Sequence, residues 1–153
     1  MFTPRKIKTR NWPVTVIFND CDENGTVTET KQTFIAKFSA FTEKEFNAVN
    51  KAALKKFPLA DAPQAHHAHA ISEFVVGWND VNDENKNPIP FSRETLNSMI
   101  TGEDGHILAR AFYQAIAEIR TGVAPAKNVE TSPTPGPTPK PGEETETAPG
   151  ADA

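Results

Sequence analysis

Apolar positions along the chain change period twice, and the changes divide it into elements. Val14-Thr-Val-Ile-Phe18 alternates, with Val14, Val16 and Phe18 on one face, and Val27 to Phe38 returns with Phe34, Ala36 and Phe38 sharing a face. Between them Asn19-Asp-Cys-Asp-Glu-Asn-Gly25 is a polar turn ending in glycine, so a hairpin or small antiparallel meander is predicted. Helical spacing follows. Thr42-Glu-Lys-Glu45 matches a capping box, and Phe46, Val49, Ala53 and Phe57 recur at steps of three and four until Pro58. Asp61-Ala-Pro-Gln64 starts a second helix, expected to carry Ile71, Phe74, Val75 and Trp78 and to stop at Gly77. Ser92 caps a short helix with Leu96, Met99 and Ile100. A last helix places Ile107, Leu108, Ala111, Phe112, Ala115, Ile116 and Ile119 on a broad apolar face and closes at Gly122. Strands first and helices after predict an α+β fold, with a short β-hairpin between the second and third of about four helices.

Composition shifts sharply after that helix. Every aromatic residue lies between Phe2 and Tyr113, whereas residues 123–153 hold seven of the 13 prolines, mixed with Thr, Glu and Gly. Such a stretch favours polyproline II backbone and has no apolar face to offset its ordering entropy. The expected organisation is therefore a folded domain over 1–122 and a disordered tail over 123–153. The tail carries two lysines and five acids, which leaves about −1 of the total charge of −4 on the folded part.

That near-neutral body gives no global attraction to nucleic acid or to anionic membranes, and the basic stretch Arg5-Lys-Ile-Lys-Thr-Arg10 is a weak signal beside it. No apolar run approaches the roughly 20 residues of a membrane span, and the basic N-terminus lacks an apolar signal-peptide core. A soluble, cytoplasmic protein is expected. The lone Cys21 excludes an intramolecular disulfide framework within the chain and has no base in a matching motif.

His66, His69 and Glu73 fall at helical steps and would put three metal-type ligands on one face. An exposed alanine-rich polar face accounts for them better, because no second ligand cluster accompanies them. The acidic turns Asp20–Gly25 and Asp80–Asn87 lack the twelve-residue calcium loop pattern and read as solvated turns. There is no phosphate loop and no nucleophile elbow. No enzymatic activity, metal or cofactor is expected.

One segment is more distinctive: Phe74-Val-Val-Gly-Trp78-Asn-Asp-Val-Asn-Asp-Glu-Asn-Lys-Asn-Pro88-Ile-Pro90-Phe91-Ser92. It reads as a helix end, a strand from Trp78, an Asp/Asn turn and a return in which Pro88 and Pro90 flank Ile89. Trp78, Val81, Ile89 and Phe91 are expected to close over the helix carrying Leu96, with Trp78 and Phe91 in the core. The segment resembles the tail assembly chaperones of long-tailed bacteriophages, whose pattern runs Val-Val-x-Trp, an Asp/Glu-Asn/Gly turn, Pro-Ile/Val-Pro-Phe-Ser, then Leu-containing helices. Similarity continues through Arg110-Ala-Phe-Tyr-Gln-Ala-Ile116 to about Ile119. It also extends upstream to Phe34-Ile-Ala-Lys-Phe38 and the capped helix beginning near Thr42. Two departures stand out: Lys86-Asn87 occupies a place where glycine is common, and the proline-rich tail is outside the pattern.

What the resemblance implies is a non-virion protein of the infected bacterium's cytoplasm. Such a protein binds the helical tape-measure protein, keeps it soluble and helps the major tail protein polymerise around it. Self-association, and a longer frameshifted product, would accompany that role. A helix-in-groove client needs an apolar groove and no catalytic group. The candidate partner-contacting residues are Phe46, Val49, Phe57, Trp78, Phe91, Phe112 and Ile116, although apolar stripes of this kind more often fill a core. Two other classes fit less well: a structural tail or head–tail completion protein, and a small metal enzyme using the histidine face.

Overall fold

The structure, a computed structural model, describes residues 1–123; the tail predicted to be disordered lies outside the described residues except for Val123. Strand β1 (Thr9–Cys21) pairs along its whole length with β2 (Val27–Ser39), from Thr9 opposite Ser39 to Cys21 opposite Val27. Alternation decides the faces. Val14, Val16, Ala36 and Phe38 are buried, while their neighbours Ile17 and Lys37 face outward. From Asn19 round to Thr33 every residue is exposed, so the hairpin reaches past the layer that covers its base.

Helix α1 (Glu43–Lys56) begins with the predicted capping box: the Thr42 side chain accepts from the Glu45 backbone N–H and the Glu45 carboxylate accepts from that of Thr42. Helix α2 (Pro63–Ser72) starts with Pro63 in its first turn, but its cap is Ala62, with no side-chain bond from Asp61. The expectation that this helix runs to Gly77 is corrected. It ends at Ser72, and Val75–Asn79 forms β3, a third strand antiparallel to β2 in the order β1-β2-β3. Apolar positions at 71, 74, 75 and 78 suit either a helix face or a strand, and the free edge of β2 settles the competition for the Val75-Val76 pair. A bulge between Lys37 and Phe38 in the pairing leaves Val76 45% exposed.

The return after the Asp/Asn turn does not become a strand. Pro88 and Pro90 have no N–H to give, so pairing is limited to a bridge between Asn82 and Pro88 and the bond from the Ile89 N–H to the Val81 carbonyl, 2.8 Å. Helix α3 (Arg93–Ile100) is capped by Ser92, whose hydroxyl accepts from the Thr95 N–H at 3.0 Å. Helix α4 (Gly105–Thr121) ends at Gly122 in the left-handed region, φ 71°.

Residues 1–123 thus form a three-stranded antiparallel sheet with four helices, an α+β fold. The core lies between the sheet and α2, α3 and α4, around Phe38, Ile71, Leu96, Ile100, Phe112 and Ile116. Phe112 meets Phe34 and Phe38 edge-on at 5.7 and 6.5 Å. At the base of the ribbon the Trp12 indole N–H donates to the buried Glu118 carboxylate at 2.9 Å, tying β1 to α4.

Candidate functional site

The seven residues named from sequence as partner contacts separate into four environments. Phe112 and Ile116 are 0% and 1% exposed, and as partner contacts they are corrected: their apolar stripe is the core that covers the sheet. Phe46 and Val49 are half-buried and pack against that core. Phe46 joins an aromatic cluster with Phe74, stacked at 5.6 Å, and Phe41 at 5.9 Å. The Arg120 guanidinium lies 3.9 Å over its ring while pairing with Glu43, so that face of Phe46 is covered as well. Trp78 and Phe91 are half-buried rather than fully enclosed as expected. They meet edge to face at 4.9 Å, and the Trp78 indole N–H donates to the Ile89 carbonyl at 2.8 Å. That clasp fastens the proline-flanked return to β3.

Phe57 is different. It caps α1 half-buried beside the His69 ring, and in sequence it lies between Leu54 and Leu59, which are 47% and 45% exposed. Three large apolar side chains therefore reach solvent around the corner from α1 to α2. Phe57 also lines a groove of about 380 Å³ whose other walls include His69, Arg93 and Asn97.

A second groove, of about 460 Å³, was not visible in the sequence. Val16, Phe18 and Phe34 form its floor where the ribbon outruns the helices, and Val81, Met99 and Leu108 close the sides. Its rim holds Asp80, Glu103 and Asp104. The strand faces were readable from alternation, but bringing residues 80–82 and 99–108 over them needs the tertiary fold.

The histidine segment is also corrected, since it is not a solvated polar face. His66 is 5% exposed with its Nδ1 unpartnered, and His67 Nδ1 lies 2.9 Å from the Tyr113 hydroxyl. Burial, and then the neighbouring His66, hold the His67 imidazole below its ordinary value, and burial pushes the Tyr113 hydroxyl up to about 12. Glu73 is engaged by Arg93 at 2.7 Å. Among the described residues no three His, Cys, Asp or Glu side chains gather to hold a metal ion.

The two acidic turns prove to be one design used twice. In each, an aspartate accepts two backbone N–H bonds: Asp22 from Asn24 and Thr26, Asp83 from Asn85 and Asn87, all 2.8–2.9 Å. Each has a left-handed residue at the same place, Gly25 with φ 82° and Lys86 with φ 66°. Those bonds hold the Asp83 carboxyl below the usual range, the one from Asn87 most strongly. The carboxylates serve their own backbone, as hairpin turns require.

Cys21 is exposed, beside the Asp22 carbonyl. No helix among the described residues is long and apolar enough to cross a membrane. Comparison with protein-family models, with curated proteins and with solved structures finds no match.

Proposed function

We propose that the protein is a tail assembly chaperone of a long-tailed bacteriophage, acting in the host cytoplasm without catalysis and absent from the finished virion. On this reading it binds amphipathic helices of the tape-measure protein and keeps them soluble until the major tail protein has polymerised. The observation that carries the proposal is the resemblance over Phe74–Ile119, centred on Trp78 and Pro88-Ile-Pro90-Phe91-Ser92. Support comes from how these residues are used: β3, the Trp78–Phe91 clasp and the Ser92 cap make one packed unit joining sheet to helices.

The docking surface on this reading is the apolar corner of Leu54, Phe57 and Leu59. A client helix with anchors at i, i+3 or i+4 and i+7 would cover them. Many copies along one long client would supply avidity, so single-site binding need not be tight.

Co-expression with the tape-measure protein of the same phage, followed by sedimentation and pull-down, is the test. The client should be soluble only in company, and calorimetry on a client segment should show a negative heat-capacity change. Leu54→Asp with Leu59→Asp should abolish capture while leaving the thermal midpoint nearly unchanged, because both side chains are half exposed. A client equally insoluble with and without the protein, together with the protein's recovery in purified virions, would replace the chaperone by a structural component of the tail.

A further inference from the structure

The apolar corner of Leu54, Phe57 and Leu59 is framed by charge of one sign. From Asn50 to Ala60 the chain holds three lysines, Lys51, Lys55 and Lys56, and the first acid after them is Asp61. Lys51 stands one turn before Leu54 and Lys55 on α1, at steps of three and four, so it neighbours both on the helix surface, and all three are exposed. Lys56 lies over the Phe57 ring at 5.5 Å. The groove beside Phe57 adds His69 and Arg93 and has no Asp or Glu in its lining. Nearby acids are engaged elsewhere. Glu43 pairs with Arg120 and Glu45 accepts from the Thr42 N–H at the far end of α1, and Glu73 is held by Arg93. Among the described residues, no hydrogen bond or ion pair holds Lys51 or Lys55.

We propose that this corner selects its partner by charge as well as by shape, taking an amphipathic helix whose apolar stripe is bordered by aspartate or glutamate. The inference rests on the docking reading given above and adds to it the chemistry of the client. Like charges one turn apart repel, and Lys51 and Lys55 are so placed with no carboxylate of their own chain to offset them. An acidic flank relieves that repulsion, whereas a basic flank compounds it. The lysine stems extend the apolar surface around Leu54 while their ammonium groups stay in water. Such rim charges act on approach and on the choice of partner, and the apolar anchors act on residence. Nucleic acid fits less well, since a phosphate backbone offers nothing to Leu54, Phe57 and Leu59. The groove at the outer end of the sheet has the opposite rim, with Asp80, Glu103 and Asp104 and no lysine or arginine, and would repel the same helix. The two apolar surfaces therefore do not compete for one client.

The experiment uses the full chain and three probes, read by fluorescence anisotropy. Two are synthetic helical peptides with leucine at i, i+3 and i+7, identical except that glutamate borders the stripe in one and lysine in the other. The third is a duplex oligonucleotide of mixed sequence. In low salt the glutamate peptide should bind about tenfold or more tighter than the lysine peptide, and high salt should narrow the gap because the charges are exposed. Lys51→Glu with Lys55→Glu should invert the preference, and Lys51→Gln with Lys55→Gln should abolish it. Both side chains are exposed, and circular dichroism confirms that each variant is folded. Equal binding of the two peptides, or a preference untouched by either lysine variant, would overturn selection by charge and leave the corner a docking surface. Binding of neither peptide would overturn the docking surface and the selection together. Displacement of the glutamate peptide by the oligonucleotide at equal concentration would assign the lysines to phosphate and overturn the proposal. A glutamate preference that follows the lysines, beside a tape-measure client that stays insoluble in co-expression, would uphold the charge rule and refute the chaperone.

Discussion

Replacing Gly105 by alanine adds one methyl group at a point where the fold has no room for it. A Cβ there would stand 1.6 Å from the Ile100 carbonyl oxygen and 2.4 Å from its carbon. Real Cβ contacts stay beyond 3.0 Å, so the backbone on one side must retreat by about 1.4 Å. Neither side is free to do so. Ile100 is fully buried at the end of α3, and Gly105 opens α4, whose Ala109, Phe112 and Ile116 cover the sheet. Overpacking that only moves side chains costs about 1–3 kcal/mol, and an obstacle made of backbone puts this change at about 3 kcal/mol or more, against a typical total of about 5–15 kcal/mol. Two other glycines calibrate the expectation. A Cβ on Gly102 would sit a tight 3.1 Å from the Ser98 carbonyl oxygen, which must give by a few tenths of an ångström, and one on Gly122 would meet nothing but carries the cost of φ 71°, about 1 kcal/mol. Urea unfolding followed by tryptophan fluorescence should therefore rank Gly105→Ala well above both Gly122→Ala and Gly102→Ala. A loss below about 1 kcal/mol for Gly105→Ala would show that α3 and α4 are not locked as described.

Three further outcomes follow from other parts of the molecule. Lys86→Gly should raise stability by about 0.5–1 kcal/mol by relieving a left-handed lysine, and Gly25→Lys in the twin turn should lose a similar amount; chemical denaturation of both variants decides, and a destabilised Lys86→Gly would refute the turn assignment. Trp78→Ala should cost about 2–4 kcal/mol, less than full burial would give, and should expose the β3 amides to faster hydrogen exchange; unchanged exchange would show the clasp to be decorative. His67 is disfavoured as a cation in the fold, so the unfolded chain binds that proton more readily. Stability should be full above pH 6.5 and decline as the pH drops below it, until the folded protein's His67 also titrates. His67→Gln should flatten that decline, and an identical pH profile in the variant would assign it to other groups.

Local chemistry was what the sequence made readable. Alternation around Val14–Phe18 and Phe34–Phe38 marked the strands and their inner faces, and Thr42 with Glu45, Ser92 and Gly122 marked helix ends through their own backbone bonds. Competition between elements was not readable. Val75 and Val76 suit either a helix or a strand, and only the unpaired edge of β2 decides between them. Burial of polar residues was misjudged for the same reason: an alanine-rich helix with three histidines looks solvated until α3 and α4 pack on it and leave His66 inside. Phe112 and Ile116 show the converse limit, because an apolar stripe meant for a core and one meant for a partner share one spacing. The shared Asp-Glu-Asn of the two turns was present in the sequence as a signal, and comparing them would have assigned Lys86 the backbone geometry of Gly25.

The pairing of α4 with β1 also fixes a timetable. The ribbon from Thr9 to Ser39 can close as soon as it is made, since its pairing is local. The helix that covers Val14, Val16 and Phe38 is not complete until Thr121 has been added, which at about 5–20 residues per second comes roughly 4–16 s later. During that interval the hairpin presents its apolar face to whatever is nearby, including other nascent copies. Slower decoding between residues 40 and 104 lengthens the exposure without altering the finished molecule. Soluble yield should consequently respond to synonymous codon changes in that stretch, while the equilibrium stability of the purified protein does not.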